Sequence, residues 1–177
     1  MATQALMPVE EYLQKHFEDR EPEYRDGILE ERPLPNYIHT LLQAFFLQFL
    51  ASFTKSDRLT VVAELRVKLR DGRFVLPDVC IFAGAPTDLL PSVAPLAVVE
   101  VLSPDDSPND LRLKLAEYHP WGVANIWVVN PDTRRIYTFN GTGLQVTDAF
   151  ALPAFHIVIP QEEVFRQVNS RFPKPKR

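Results

Sequence analysis

The most regular pattern of apolar positions in the chain follows Pro35–Asn36. Apolar side chains recur there at intervals of three and four residues, the spacing of one helix face: Ile38, Leu41, Leu42, Phe45, Phe46, Phe49 and Phe53. Asparagine is a favoured N-cap residue, so we predict a long helix that begins at Asn36 and packs this face against the core. Shorter helices are predicted over residues 8–16, 107–119 and 162–168. Pro8 and Pro108 lie in the first turns of two of them, where proline is favoured.

Alternating or continuous apolar runs predict the strands. Residues 61–69 alternate between apolar and polar, and residues 74–82 follow a turn at Asp71–Gly72, so we predict that the two runs pair antiparallel. Residues 96–102 are apolar on both strand faces except at Glu100, which is typical of a central strand covered on both sides. Further strands are predicted at 125–130, 135–139 and 155–159, and Asp26–Gly27 indicates a hairpin within 23–29.

This order of elements predicts an α/β (α+β) fold, in which helices flank a mixed β-sheet and extra hairpins lie at both ends. The 177 residues are enough for one domain with a sizeable core. We expect a single domain over 1–177, with an N-terminal helix and hairpin (1–35), a core (36–130), and C-terminal strands and a tail (131–177).

Composition excludes several classes of protein. Cys80 is the one cysteine of the chain, which excludes an internal disulfide framework and a multi-cysteine zinc cluster. No apolar run reaches the roughly 20 residues needed to cross a bilayer, and the N-terminus lacks the pattern of a signal peptide. We therefore expect a cytoplasmic protein without a membrane partner. The net charge of −4 argues against a broad basic surface for nucleic acid but allows a local basic patch.

Two acidic residues in predicted strands are the main candidates for chemistry. A buried, unpaired carboxylate at Glu100 would cost several kcal/mol, so it needs a cation, a hydrogen-bond donor or a raised pKa. Asp78 follows Pro77, which cannot donate a hydrogen bond to a sheet. Neighbouring strands lie about 4.8 Å apart, so the two carboxylates could share one cation, and oxygen ligands favour Mg²⁺ or Mn²⁺. Alternatively, Glu100 pairs with a basic residue for structural reasons and Asp78 is a turn residue.

Lys114 flanks the core face of the helix predicted at 107–119, since successive residues rotate by about 100° around a helix axis. That core face consists of Leu111, Leu115 and Tyr118. Lys114 could reach over the sheet towards Glu100, or it could pair with Asp110 one turn earlier. Helical geometry alone does not choose between the two.

These motifs resemble a known family. Leu76-Pro77-Asp78, the segment Glu100-Val101-Leu102-Ser103-Pro104, and Lys114 with Tyr118 are similar to the Uma-two family of "putative restriction endonucleases", which have the PD-(D/E)xK nuclease-like fold. The resemblance covers most of the chain, and the Glu-Val-Leu-Ser-Pro segment is fairly specific. Similar motifs occur at residues 8–12, 23–27, 39 and 127–131. The resemblance implies a restriction-endonuclease-like core.

The resemblance also implies roles for individual residues. Asp78 and Glu100, with the Val101 carbonyl, would hold Mg²⁺ (or Mn²⁺), and Lys114 would orient the attacking water or stabilise negative charge on the phosphate. The general nuclease pattern has a lysine two residues after the glutamate, where this chain has Leu102. In the family, a lysine of the following helix is thought to supply that charge, which corresponds to Lys114.

Three further residues are supporting candidates. Glu23 could support a second cation, but we expect it to be an exposed hairpin acid. His39 is a core or surface histidine rather than a ligand, and Tyr118 follows Lys114 on the same helix.

The resulting hypothesis is a metal-dependent endonuclease that hydrolyses phosphodiester bonds in DNA rather than RNA. A homodimer is compatible with this activity, because nucleases that cut both strands often pair about a twofold axis. One alternative is a non-catalytic member of the same fold that binds nucleic acid or a protein. Another is a purely structural role for the buried acids.

Overall fold

The structure is a computed structural model and describes residues 6–54, 58–104 and 106–173. The first half contains α1 (Val9–Gln14), β1 (Glu23–Arg25), β2 (Ile28–Glu30), α2 (Tyr37–Thr54), β3 (Leu59–Ala63), β4 (Val67–Arg70), β5 (Arg73–Val75) and β6 (Val79–Ala83). The second half contains β7 (Ala97–Val101), α3 (Pro108–Trp121), β8 (Asn125–Asn130), β9 (Arg135–Phe139), β10 (Leu144–Thr147), β11 (Ala149–Leu152), β12 (Ile157–Pro160) and α4 (Gln161–Arg171).

The main sheet has six strands in the order β10-β9-β8-β7-β6-β3. β7 and β8 run parallel, and the other neighbours run antiparallel, so the predicted mixed sheet is confirmed. A second sheet has four strands in the order β2-β1-β5-β4, and β11 pairs with β12 as a separate hairpin. β7, the predicted central strand, lies between β6 and β8 with every residue buried.

Apolar side chains cover both faces of the main sheet, which explains why its central strands are apolar throughout. On one face α2, α4 and the β11–β12 hairpin pack around Trp127, whose ring stacks on Phe150 with centroids 4.6 Å apart. On the other face α3 packs through Leu115 and Tyr118 onto the strands. A small third cluster of Tyr12, Tyr24 and Phe74 joins α1 to the four-stranded sheet.

A bent hairpin connects the two sheets. β3 pairs with β6, where Ala63 is opposite Val79, and β4 pairs with β5, where Val67 is opposite Val75. The two pairings continue one antiparallel register, as predicted, but their halves lie in different sheets. The prediction of continuous strands over 61–69 and 74–82 was therefore wrong. The chain turns at this corner because Glu64 adopts a left-handed φ of 54° and Pro77 has no N–H to donate.

The predicted starts of α2 and α3 are confirmed by their caps. The Asn36 side chain accepts a hydrogen bond from the His39 N–H at 2.9 Å, and the Ser107 side chain accepts one from the Asp110 N–H at 3.4 Å. α1 is shorter than predicted, and β10 and β11 were missed. The predicted strand at 155–159 begins only at Ile157, after a 3-10 turn. Within the three described segments, no helix combines the length and apolar character needed to cross a membrane.

The packing around Trp127 generates a stability prediction for the hairpin that the sequence did not indicate. Phe150 is fully buried between Trp127 and Phe46, whereas Val158 on the paired strand is 59% exposed. We expect Phe150→Ala to lower the free energy of unfolding by about 3–5 kcal/mol, because it leaves a cavity in the core. Val158→Ala is the matched control and should change it by less than about 0.5 kcal/mol. Urea denaturation measures both, and equal effects would contradict this packing.

Candidate active site

Asp78 lies at the corner of the bent hairpin, one residue before β6. In the β6–β7 register Val79 is opposite Val99, so the next step along the strands brings Asp78 towards Glu100. The Asp78 Oδ2 atom accepts a hydrogen bond from the Val101 N–H at 2.8 Å. A side-chain contact therefore joins the two strands at this end of their backbone ladder. Asp78, at the corner between the two sheets, is buried.

Glu100 points from β7 towards α3 and is buried as well. Its Oε1 atom accepts a hydrogen bond from the Tyr118 hydroxyl at 2.6 Å. The Lys114 Nζ atom lies 3.0 Å from Oε1 and 3.1 Å from Oε2 of the same carboxylate. Of the two geometries that the sequence allowed for Lys114, the structure therefore has the contact with Glu100. Tyr118 and Lys114 hold this carboxylate from one helix, four residues apart.

Glu23 is the third carboxylate at this place, and the expectation of an exposed hairpin acid was wrong. β1 pairs with β5 as well as with β2, so Glu23 is covered and only 5% exposed. Its carboxylate lies 2.8 Å from Lys114 Nζ and 3.0 Å from Arg73 Nη2, and it accepts a hydrogen bond from the Leu76 N–H at 3.3 Å. Lys114 therefore bridges a carboxylate of each sheet.

The pKa values of these carboxyl groups shift in different directions. Burial raises the pKa of Glu100 to about 7, and the nearby Asp78 charge adds to this effect although Lys114 opposes it. Burial alone would also raise the pKa of Glu23, but Lys114 and Arg73 outweigh it and hold that pKa below its usual value. The pKa of Asp78 is lowered against burial by His39, by Lys114 and by the Val101 N–H. Glu100 is thus the carboxylate whose charge is least compensated.

His39, a supporting candidate, is a buried histidine of α2 that faces the site. Its Nε2 atom lies 3.1 Å from Asp78 Oδ1, and its Nδ1 atom lies 3.2 Å from the Ser103 hydroxyl. The expectation of a core histidine is therefore correct as to burial, and the ring also fixes one oxygen of Asp78. Gln43, one turn further along α2, donates to the Asp78 carbonyl at 3.3 Å.

Two arginines and Glu64 complete the surroundings of Asp78, and the sequence pattern indicated none of the three. Arg20 Nη2 and Arg32 Nη1 each lie 2.6 Å from a different Glu64 oxygen. The same two guanidinium groups lie 3.4 and 3.5 Å from Asp78 Oδ1. Glu64 occupies a polar position in a predicted alternating strand, so its pattern suggested solvent. The positive φ that turns it inwards leaves no signal in the pattern of apolar residues.

Arg73 helps to fix the position of Lys114 through the carboxylates that it contacts. Its side chain is 1% exposed and contacts Glu23, Glu30 and Glu117 at 3.0, 2.9 and 3.0 Å. Because Glu117 lies one turn after Lys114 on α3, this arginine ties the helix to the four-stranded sheet. Arg25 adds a second contact to Glu117, at 2.6 Å.

Two groups of residues are candidates to hold a cation, and the first is close enough in space to do so. His39, Glu64 and Asp78 offer ligand atoms within 4.8 Å of one another. A cation there would have to displace two guanidinium groups from Glu64, which makes this set a poor fit. Asp78 and Glu100 fit a divalent cation better, because they offer oxygen ligands and because Glu100 lacks enough positive charge around it.

The site opens into a cleft of about 480 Å³ at the carboxyl end of β7. Acidic and basic side chains line it together: Arg20, Glu23, Arg25, Glu30, Glu31, Arg32, Arg73, Asp78, Glu100, Asp106, Asp110 and Lys114. Such an opening beside strand ends is a common place for ligands in α/β sheets. All six candidate residues of the sequence analysis are in this cleft or directly behind it.

The opposite pKa shifts generate a prediction about stability without metal. The pKa of Glu100 is raised from 4.5 to about 7, so its ionisation costs stability that grows as pH rises from 4.5 to 7, is fully present above pH 7 and is absent below pH 4.5. The pKa of Glu23 is lowered from 4.5, so its carboxylate stabilises the fold above that pH and loses this effect as pH falls through its lower folded value.

In EDTA at pH 8, Glu100→Gln should therefore raise the Tm by a few degrees, and Glu23→Gln should lower it. At pH 5 the gain from Glu100→Gln should shrink, whereas the loss from Glu23→Gln should largely remain. About 1 kcal/mol corresponds to roughly 2–4 °C in a chain of this size, so thermal denaturation resolves the difference. The same sign for both variants at pH 8 would contradict the assignment.

Comparisons with known proteins identify the family and the fold. The Uma2 family, described as "Putative restriction endonuclease", matches residues 9–167. The fold is similar to the crystal structure of a "putative nuclease belonging to DUF820" from Anabaena variabilis, with a TM-score of 0.78 and 20% identity over 90% of this chain and 98% of that one. A cryo-EM structure of a DrdV–DNA complex matches 62% of this chain and 10% of that one, at 22% identity and a TM-score of 0.41, too low to support an argument.

No significant match was found among curated proteins. The similarity to the Anabaena structure confirms the predicted restriction-endonuclease-like fold, and the family match spans most of the chain. The chain belongs to the Uma2 family of nuclease-like proteins.

Proposed function

We propose that the protein is a metal-dependent endonuclease that hydrolyses phosphodiester bonds of DNA. The observation that carries this proposal is the contact of Lys114 with Glu100, at 3.0 Å, beside Asp78. The general nuclease pattern needs two acids and one lysine, and here the helix lysine supplies the charge that Leu102 lacks. The family match and the fold support a nuclease in general terms.

Asp78 and Glu100 are the residues that would hold Mg²⁺ or Mn²⁺, with the Val101 carbonyl as a further oxygen ligand. When bound, the cation would polarise the phosphodiester and lower the pKa of a bound water. The buried setting makes these oxygens strong ligands, since little water competes with them. The Val101 N–H and His39 hold Asp78 in place, and the Tyr118 hydroxyl holds Glu100.

Lys114 is the group of this chain that would stabilise the negative charge of the reacting phosphate. Burial alone would lower its pKa, but Glu100 and Glu23 raise it above its usual value. The ammonium group therefore remains protonated at neutral pH and can donate hydrogen bonds to a phosphate oxygen or to the attacking water. Glu23 and Arg73 act through Lys114, so they are positioning residues.

We propose DNA as the substrate because the family is described as "Putative restriction endonuclease". A homodimer remains part of the proposal, since a single site cuts one strand at a time. Size-exclusion chromatography with light scattering measures the molecular mass in solution and so tests the homodimer. The rate of cleavage of plasmid DNA relative to that of RNA of equal length measures the preference for DNA.

The first test of this proposal is cleavage by site variants. Lys114→Met and Asp78→Asn should each lower the rate of plasmid cleavage in Mg²⁺ or Mn²⁺ by at least about 100-fold, because each removes charge stabilisation from the site. Arg112→Gln is the matched control on the same helix, since Arg112 is exposed and donates a hydrogen bond to Asn109. Gel electrophoresis of nicked and linear plasmid measures the rates. Equal rates for Lys114→Met and Arg112→Gln would refute the role of Lys114.

The second test concerns metal binding. A ligand at about 100 times its Kd stabilises the folded state by about 2.7 kcal/mol, so Mn²⁺ should raise the Tm of the wild type. Glu100→Gln should lose this metal-dependent gain, and Glu162→Gln, an exposed acid of α4, should keep it. If the wild type binds DNA but neither gains stability with metal nor cleaves, the non-catalytic binding function replaces this proposal.

A further inference from the structure

We propose that Arg20 and Arg32 together bind one phosphate of the nucleic-acid backbone next to the bond that is cut. This inference rests on the proposed function and names a contact of the same cleft with its substrate. It assigns a function to two residues of irregular segments that the sequence pattern did not single out.

The two arginines are held in place by a carboxylate that lies behind them. Both side chains line the cleft, whereas Glu64 does not. Each oxygen of Glu64 takes one guanidinium group at 2.6 Å, and Gln43 donates to Glu64 at 2.7 Å from the helix on the other side. This arrangement fixes the arginines before any ligand binds, which reduces the entropy lost on binding.

Backbone carbonyls add to this preorganisation. Arg32 Nη2 donates to the Leu76 carbonyl at 2.9 Å, and Arg20 donates to the Pro33 carbonyl. The side chains are 9% and 14% exposed, and both residues line the cleft. Each Nη group has two hydrogens, so among the described contacts Arg20 Nη1 and Arg32 Nη1 each keep one hydrogen to donate to a phosphodiester oxygen.

The charges of the site show why these two arginines have capacity for an anion. Six carboxylates (Glu23, Glu30, Glu64, Asp78, Glu100 and Glu117) contact five cationic groups (Arg20, Arg25, Arg32, Arg73 and Lys114), so this set carries a net charge of −1. A divalent cation on Asp78 and Glu100 would leave the set with excess positive charge. Asp78 would then be neutralised by the cation, and Glu64 would be the remaining carboxylate partner of Arg20 and Arg32. An anionic phosphate would restore the charge balance.

The other cations of the cleft are committed elsewhere. Arg73 contacts three carboxylates, and Arg25 contacts Glu30 and Glu117. Lys114 lies between Glu23 and Glu100. Arg25 and Arg73 thus share Glu30 and Glu117. Among the described residues that line the cleft, Arg20 and Arg32 are the pair that lies beside Asp78, at the proposed metal site. A local pair of this kind also explains how a chain with a net charge of −4 could bind nucleic acid.

The test measures binding rather than cleavage. The dissociation constant of a fluorescent 20-base-pair duplex is measured by anisotropy over a range of KCl concentrations, in Ca²⁺ and in EDTA. Each phosphate contact contributes about 0.9 to the slope of log K against log salt, so the double variant Arg20→Gln/Arg32→Gln should reduce that slope by about 0.9 in Ca²⁺, and each single variant should reduce it by part of this amount. The affinity should fall about fivefold or more, and the effect should be smaller in EDTA.

Arg70→Gln is the matched control, because Arg70 is exposed, pairs with Asp26 and lies outside the cleft. Its slope and affinity should equal those of the wild type. Arg20→Lys keeps the charge but loses the paired donors, so it should retain the slope and bind more weakly. Melting curves identify any variant that fails to fold. If Arg32→Gln does not fold, the variant of the more exposed Arg20 provides the test.

The outcomes separate this inference from the proposed function. Unchanged slope and affinity for Arg20→Gln, with a wild type that binds and cleaves, overturn the phosphate contact and leave the nuclease proposal intact. A wild type that binds no duplex in either condition overturns the phosphate contact. A wild type that binds the duplex but cleaves no DNA, with a reduced slope for Arg20→Gln, supports the contact in a non-catalytic protein.

Discussion

The ammonium group of Lys114 is the interaction on which the rest of the site depends. It lies within 3.0 Å of Glu100 in the six-stranded sheet and 2.8 Å from Glu23 in the four-stranded sheet. Without it, two buried carboxylates would lose a shared cation, at a cost of several kcal/mol. The two sheets and α3 are therefore held together by an ion network as well as by apolar packing. Arg73 extends that network to Glu117, which fixes the helix that carries the lysine.

The position of the site follows from the bend in one hairpin. A straight pair of strands would keep Asp78 within the ladder and Glu64 on its polar face. The bend instead turns Glu64 towards two arginines and frees Asp78 to accept the Val101 N–H, at 2.8 Å. The local rules of strand formation are broken at Glu64 and at Pro77, and places where such rules fail tend to be functional. Because of this bend, strands that continue one antiparallel register belong to two different sheets.

The sequence predicted the features that depend on neighbours along the chain. Helix caps at Asn36 and Ser107, the central strand, and the acids within apolar runs all give local signals, so Asp78 and Glu100 could be found. The burial of Glu23 depends on the pairing of β1 with β5, which is distant in sequence. Arg20 and Arg32 lie in irregular segments, and β10 is largely exposed, so none of these produces an apolar pattern.

The two glutamates that share Lys114 differ in how well their charge is compensated. Glu23 has Arg73 as a second partner and its pKa is lowered, so its carboxylate stabilises the fold. Glu100 has a tyrosine hydroxyl in place of a second cation, lies near Asp78, and its pKa is raised. The fold thus satisfies one carboxylate and leaves the other short of positive charge. This shortage of positive charge at Glu100 supports the proposed divalent cation, which would offset it.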